Sequence, residues 1–151
     1  MEQLTLFPSE NQTREFRSYT HLPLDVALQS LDIIDVGLDL LSDVVKKRKI
    51  SPNYRGLCPF HVEKTPSFHL VVKHNCFKCH GCDISGKPLV LPFYLMKHTI
   101  RPVRNFIDPI KYLEIKVGFD INNSESRKTL EEALLKQKRI NWRSELGCYL
   151  I

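Results

Sequence analysis

Apolar residues at helical spacing open the patterned part of the chain. After Pro23, which suits a first helical position, leucines recur at positions 24, 28 and 31. Asp32 then suits the N-cap of a second helix, whose apolar residues are Ile33, Ile34, Val36, Leu38, Leu40 and Leu41. Gly37 weakens this second helix without excluding it. Both helices are expected to bury their apolar stripes against the rest of the domain.

The pattern changes from helical spacing to alternation between residues 54 and 82. Phe68, Leu70 and Val72 alternate with His69, Val71 and Lys73, and residues 73–75 can turn into a strand at 76–78. Before this region, residues 46–49 and 51–53 are interpreted as a basic connector followed by a turn. A small antiparallel sheet is therefore predicted in the middle of the chain.

The remaining residues predict helices behind this sheet and a loose segment in front of it. Residues 88–98 indicate a short helix limited by Pro88 and Pro92, and residues 108–117 a helix with Pro109 in its first turn. Residues 124–146 indicate a charged amphipathic helix that ends at Gly147, with apolar positions at Leu130, Leu134, Leu135, Trp142 and Leu146. Residues 1–22 are polar and are expected to form a flexible arm. The fold class is thus predicted as α+β, a small antiparallel sheet flanked by N-terminal and C-terminal helices.

Cysteine and histidine spacing adds a candidate metal site to the predicted sheet. Cys58 and His61 are separated by two residues, and after seventeen intervening residues Cys79 and Cys82 repeat that spacing. Two such pairs can close one tetrahedral zinc site, and four protein ligands leave no position for a reacting water, so the zinc would be structural.

The second pair has a competing register, Cys76 with Cys79. The later pair, Cys79 with Cys82, encloses Gly81 and is followed by Ser85 and Gly86, which favours a metal-binding turn there. Cys76 is then interpreted as a small, half-buried strand residue. Three histidines, His69, His74 and His80, could also bind metal but are expected to face solvent or nucleic acid.

Charge is distributed unevenly along the chain. Residues 46–104 contain twelve lysines and arginines against two acidic residues, a net charge of +10, whereas the remainder carries −5. A basic block around a metal module indicates a polyanion-binding face. The alternative is a solvated basic surface.

Length and composition restrict the class of protein. A chain of 151 residues suits one domain with tails. No apolar run reaches the roughly 18–20 residues of a membrane helix, and no signal peptide opens the chain, so no membrane partner is expected. Four of the five cysteines fall between residues 58 and 82, which suits metal binding in a reducing, cytoplasmic location better than disulfides. The last four residues, from Cys148, match a prenylation box, a pattern short enough to arise by chance.

Two neighbouring motifs carry a resemblance to a known family. Residues 53–61 read NYRGLCPFH and residues 63–68 read EKTPSF, followed by Cys79-x-Gly81-Cys82, Ser85-Gly86 and Phe93-x-Leu95-Met96. This combination closely resembles the N-terminal zinc-binding domain of bacterial DNA primase. Residues 31–36 and 109–121 resemble the helices that flank that domain. The resemblance implies a primase-type zinc-binding domain at 23–121, between the arm at 1–22 and a C-terminal helical extension at 122–151.

The resemblance also implies ligands and DNA contacts. The family's ligand set falls on Cys58, His61, Cys79 and Cys82, holding one zinc. In the family the sheet face binds single-stranded template and helps select the initiation sequence. By motif position, that role would fall on Tyr54, Arg55, Lys64, Pro66, Phe68 and Lys78. Basic side chains would follow phosphates and aromatic rings would stack on bases. The alternative is that Phe68 and Phe60 fill the core of the sheet, and for Phe60 this interpretation is preferred.

Several positions depart from the family. Pro52 stands where a basic residue is common, Lys87 where an acidic one is frequent, and Pro92 interrupts a helix. About 30 residues follow Ile121, too few for the polymerase domain that follows in a primase, so no catalytic residue is assigned and no polymerisation is expected from this chain alone.

The leading hypothesis is a template-recognising primase module for RNA primer initiation in DNA replication. It would act beside a separate primase polymerase domain and a replicative helicase. One alternative is a stand-alone nucleic-acid-binding protein of a mobile element or regulator with no role in priming. A further alternative is a thiol redox or metal-sensing protein that uses Cys76.

Overall fold

The computed structural model describes residues 16–100, 103 and 107–139. Two short helices, a five-stranded sheet and three further helices follow one another along this part of the chain. The helices are α1 (Leu24–Ser30), α2 (Ile33–Leu41), α3 (Leu91–His98), α4 (Pro109–Val117) and α5 (Ser124–Arg139), with a 3₁₀ helix at Pro88–Val90. The strands are β1 (Val45–Lys47), β2 (Tyr54–Gly56), β3 (Phe68–Val71), β4 (Cys76–Cys79) and β5 (Ser85–Gly86).

The strands form one antiparallel sheet in which each strand pairs with the next along the chain, in the order β1-β2-β3-β4-β5. This arrangement confirms the predicted α+β class, in which helices precede and follow the strands along the chain. Two strands were not predicted, β1 and β5, because both lie outside the alternating region at 54–82. The basic segment interpreted as a connector contributes β1, in which Lys46 pairs with Arg55 and Lys47 with Tyr54.

The two faces of the sheet differ in character. On the face toward the helices, Phe68 and Leu70 of β3 lie opposite Cys79 and Phe77 of β4, and all four side chains are fully buried. The other face carries a row of direct cross-strand partners that we call the polar row: Lys46, Arg55, His69, Lys78 and Ser85. Cross-strand partners project from the same side of a sheet, so this row crosses the whole sheet opposite the core.

Helix α2 lies directly on the sheet. Its start was predicted correctly, because the Asp32 carboxylate accepts hydrogen bonds from the backbone N–H groups of Ile34 (3.1 Å) and Asp35 (3.0 Å). Gly37 has a packing role, since a Cβ there would lie 2.4 Å from Leu70 Cδ1 of β3. The glycine that weakens the helix in isolation therefore allows the close contact between α2 and the sheet.

The C-terminal helices pack onto the same core. Asp108 caps α4 through hydrogen bonds from the N–H groups of Ile110 and Lys111, with Pro109 at the first position as predicted. Helix α5 contacts α1 and buries Leu130 in the main core. The predicted C-terminal helical extension thus packs on the domain through this residue, and predicted positions Trp142, Leu146 and Gly147 lie outside the described residues.

The N-terminal arm prediction is wrong for its last residues. Tyr19 is only 3% exposed, and its backbone N–H donates a 2.7 Å hydrogen bond to the Lys116 carbonyl of α4. Its hydroxyl donates to the buried Asp35 carboxylate of α2 at 3.2 Å. Burial, followed by the charge of Asp35, raises the pKa of Tyr19 to about 12. Residues 16–22 thus belong to the folded body.

Among the described residues, no helix is long and apolar enough to cross a membrane.

Candidate metal centre and nucleic-acid surface

Two short turns at one end of the sheet carry the four predicted ligands. Cys58 follows β2, and its Sγ accepts a hydrogen bond from the N–H of Phe60 (3.3 Å). Cys79 is the last residue of β4, and its Sγ accepts from the N–H groups of Gly81 (3.3 Å) and Cys82 (3.5 Å). Both turns therefore fold back over their own first cysteine, which aims the sulfurs into the space between them.

The ligand atoms converge on one point. The Sγ atoms of Cys58, Cys79 and Cys82 and a ring nitrogen of His61 all lie within 4.8 Å of one another. Cys58 Sγ is 3.8 Å from Cys82 Sγ, and Cys79 Sγ is 3.8 Å from His61 Nδ1. A tetrahedron with zinc–sulfur bonds of about 2.3 Å has edges of about 3.8 Å, so the spacing fits a zinc ion. Within the described residues these four form one structural zinc site, and all four ligand positions come from the protein.

The pKa values of the three cysteine thiols shift in different directions, because the thiols differ in their hydrogen bonds. Burial acts to raise the pKa of Cys79, but the contact with the Ser67 hydroxyl and hydrogen bonds from the N–H groups of Cys82 and Gly81 outweigh it, so the pKa of Cys79 lies below its ordinary value. Burial raises the pKa values of Cys58 and Cys82.

Cys76 lies apart from this cluster. It is fully buried on the polar-row side of the sheet with Val71, so the half-buried interpretation is wrong. It is also disulfide-bonded, so the expectation of disulfide-free cysteines fails at this position. The structure therefore brings Cys79 and Cys82, and not Cys76 and Cys79, together as the second pair of metal ligands.

The six predicted DNA contacts do not share one face. Arg55, Lys64 and Pro66 are exposed, whereas Tyr54 is half-buried and packs against the main core. Phe68 is fully buried and stacks on Phe77, with ring centroids 5.9 Å apart. The prediction that Phe68 offers a plane to a base is wrong, because its ring fills the core between sheet and helices.

Lys78 is also placed differently from its predicted role. Its side chain is only 4% exposed and forms an ion pair with Asp83, just after the second metal-binding turn. The ammonium group therefore holds that turn instead of standing free for a phosphate. His69, expected to face solvent or nucleic acid, is 9% exposed, and burial, then the nearby His80, lowers its pKa.

A basic groove runs along the edge strand β1 and its neighbour β2. It encloses about 570 Å³ and its charged lining residues are Lys46, Lys47, Arg48, Lys49 and Arg55. No acidic residue is among those that line it, and Pro66 forms part of its wall. The sequence indicated this groove only through the basic block, because residues 46–49 were interpreted as a connector and not as site residues.

Comparison with known proteins identifies similar chains. The sequence profile of the CHC2 zinc finger matches residues 22–129. The chain is 34% identical over 103 residues to a DNA primase of Clostridium acetobutylicum, a match covering 68% of this chain and 16% of that one. It is 36% identical over 92 residues to a DNA primase of Mycolicibacterium smegmatis, covering 60% and 14%.

Among solved structures, the Aquifex aeolicus primase, comprising zinc-binding and RNA polymerase domains, matches 80% of this chain and 23% of its own, at 21% identity and a TM-score of 0.37. The chain spans about one sixth of the length of the curated relatives given above.

Proposed function

This chain belongs to the CHC2 zinc-finger family, whose sequence profile matches residues 22–129. On that basis we propose that it is a module, folded around zinc, that binds single-stranded template DNA for RNA primer initiation. It would present that template to a primase polymerase domain and work within a replication assembly that includes a helicase. The observation that carries the proposal is the basic groove beside the zinc site.

Zinc has a structural role in this proposal. The ion would join the turn after β2 to the turn after β4, and those turns hold the ends of three strands in place. Binding free energy at such a site is folding free energy, so the zinc would fix the sheet that carries the DNA-binding residues. The chain's own side chains would do the binding.

In this proposal the DNA phosphates bind to the basic groove and to Lys46 and Arg55, the exposed residues at the β1 end of the polar row. Lys46 and Arg55 are exposed direct partners on β1 and β2, and Lys49 is exposed at the groove. An arginine and several lysines without an acidic neighbour in the groove form a track for a polyanion. Lys64 and Pro66, which follow the first metal-binding turn, would extend the track toward the zinc site.

Contacts with the DNA bases would contribute less to affinity than the sequence analysis predicted. Phe68 is withdrawn into the core, and the Tyr54 ring is half-buried. Ile50, which is 92% exposed at the groove, offers an apolar surface for a base. Affinity should therefore depend strongly on charge and only weakly on stacking.

Binding to oligonucleotides tests the proposal. Fluorescence anisotropy with a labelled single strand and with a duplex of equal length should show preference for the single strand. Its affinity should fall with salt, with a log–log slope of about −0.7 per phosphate contacted. Equal affinity for both forms, or an affinity independent of salt, would contradict a template-binding role.

A priming assay separates this function from a stand-alone nucleic-acid-binding role. The zinc-loaded chain would be added to a primase polymerase domain from the same source that has no zinc-binding domain of its own. Template-directed primer synthesis should rise on addition. Single-strand binding without any effect on priming would instead support a protein with no role in priming.

A further inference from the structure

One carboxylate connects the first metal-binding turn with the start of β3. Glu63 Oε2 accepts hydrogen bonds from the backbone N–H of Cys58 (2.8 Å) and of Ser67 (3.1 Å). Glu63 Oε1 lies 3.0 Å from His61 Nε2 and accepts a short hydrogen bond from the Ser67 hydroxyl. The Glu63 side chain is only 10% exposed, so this is a built site and not a loose surface pair.

The contact with His61 determines which ring nitrogen is available. With Nε2 occupied by Glu63, the other nitrogen, Nδ1, points into the cluster and lies 3.8 Å from Cys79 Sγ. A histidine ligand commonly donates its second ring N–H to a carboxylate, which fixes both the tautomer and the orientation of the ring. Glu63 stands in that position relative to His61.

Ser67 links the same carboxylate to the second metal-binding turn. Its hydroxyl oxygen is 3.2 Å from Cys79 Sγ, and its carbonyl accepts a 2.9 Å hydrogen bond from the N–H of His80. Glu63 therefore reaches ligands of both turns, His61 and Cys58 directly and Cys79 through Ser67. Nearby Lys64 is exposed and has no part in this network.

We propose that Glu63 is the positioning residue of the zinc centre, which orients His61 to bind through Nδ1 and thereby controls how long the ion is retained. This role belongs to the metal site and does not depend on DNA binding. A glutamate that merely caps the loop would contact the backbone of Cys58 and Ser67 but would not need the His61 ring.

Glu63→Gln separates these two roles. The glutamine oxygen can still accept from the Cys58 and Ser67 N–H groups, but its NH₂ group would then face His61 Nε2–H, so that donor meets donor. Zinc release from the loaded protein to a chromogenic chelator should become about 10–100 times faster. Glu131→Gln, on the exposed surface of α5, is the matched control and should release zinc at the wild-type rate. Release from Glu63→Gln at the wild-type rate would overturn the proposal.

A measurement on the unmodified protein gives a second test that does not depend on a variant folding. In the zinc-loaded chain, ¹⁵N chemical shifts of His61 should show Nδ1 bound to metal and Nε2 protonated. Coordination through Nε2, or an Nε2–H in fast exchange with water, would contradict the proposal whatever the variant does. Glu63→Asp should release zinc at a rate between those of wild type and Glu63→Gln. The aspartate keeps a carboxylate, but its shorter side chain places that carboxylate farther from His61.

Discussion

The ammonium group of Lys116 lies 2.7 Å from the carboxylate of Asp39, and both side chains are fully buried. The same ammonium is 2.8 Å from Asp35, and the Tyr112 hydroxyl donates to Asp39 at 2.7 Å. Lys116 and Tyr112 belong to α4 and the two aspartates to α2, so these contacts join the helix on the sheet to the helix behind it.

Removing one partner of this buried group should be costly. Asp39→Ala leaves a buried ammonium and a buried hydroxyl short of an acceptor, and we expect the free energy of unfolding to fall by about 3–5 kcal/mol. Urea unfolding of the zinc-loaded protein measures the change. Asp25→Ala, an exposed acid in the first turn of α1, is the control and should cost less than about 1 kcal/mol. Equal losses for both variants would show that the buried contacts are not what joins α2 to α4.

Serine substitutions distinguish the zinc ligands from the neighbouring cysteine. Cys82→Ser removes one of four ligands and should abolish tight zinc binding, with loss of the sheet's cooperative unfolding, because the ion joins two of its turns. Cys76→Ser should retain one zinc per chain, since Cys76 lies on the other side of the sheet. Metal analysis after gel filtration measures both. Zinc lost from Cys76→Ser and kept by Cys82→Ser would contradict the assigned ligand set.

Gly81 is expected to be essential for zinc retention because of space. A Cβ at this position would lie 2.6 Å from His61 Nε2 and 3.0 Å from Ser67 Oγ. Gly81→Ala should displace the His61 ring and accelerate zinc release to a chelator. Gly118→Ala provides a contrast, because that glycine has a φ of +75° but its Cβ would make only ordinary contacts with Thr20. It should lower the unfolding free energy while leaving zinc release unchanged, and the reverse pattern would refute the steric argument.

Phe68 should behave as a core residue. Phe68→Ala removes a fully buried ring that stacks on Phe77, and the expected loss of stability is about 3–5 kcal/mol. Val62→Ala, at an 82% exposed position near the metal site, should change stability by less than about 0.5 kcal/mol. Chemical unfolding measures both. A Phe68→Ala variant of wild-type stability but weakened DNA affinity would restore the stacking role that the structure removes.

The parts of the fold that the sequence predicted depend on local signals. The metal ligands are recognisable because two residues between ligands place both side chains on one turn, and this holds for Cys58 with His61 and for Cys79 with Cys82. Asp32 and Asp108 cap their helices through N–H groups two and three residues away. Such signals require no knowledge of distant neighbours.

The parts that were missed depend on contacts that residue spacing does not reveal. Strand β1 contains Lys46 and Lys47 without alternation, and it exists because β2 offers an edge to pair with. Phe68 and Lys78 look equally suited to a DNA-binding strand, yet the packing of α2 decides that Phe68 faces the core, and Asp83 decides that Lys78 is paired. Glu63 has no spacing signal of its own, because its contacts with Cys58, His61 and Ser67, although all within five residues, depend on how the loop folds around the carboxylate.

The central claim is that the basic groove on β1 and β2 binds single-stranded DNA. The most direct measurement compares Arg55→Ala with Arg127→Ala in their affinity for one labelled single strand across a salt series. Arg55 lines the groove, whereas Arg127 is exposed on α5, where its guanidinium donates to the Ile121 carbonyl. Arg55→Ala should weaken binding by about 1 kcal/mol, roughly fivefold, and make the log–log salt slope shallower by about 0.7. Arg127→Ala should match the wild type in both. Equal effects of the two substitutions, or no effect of Arg55→Ala, would contradict the claim.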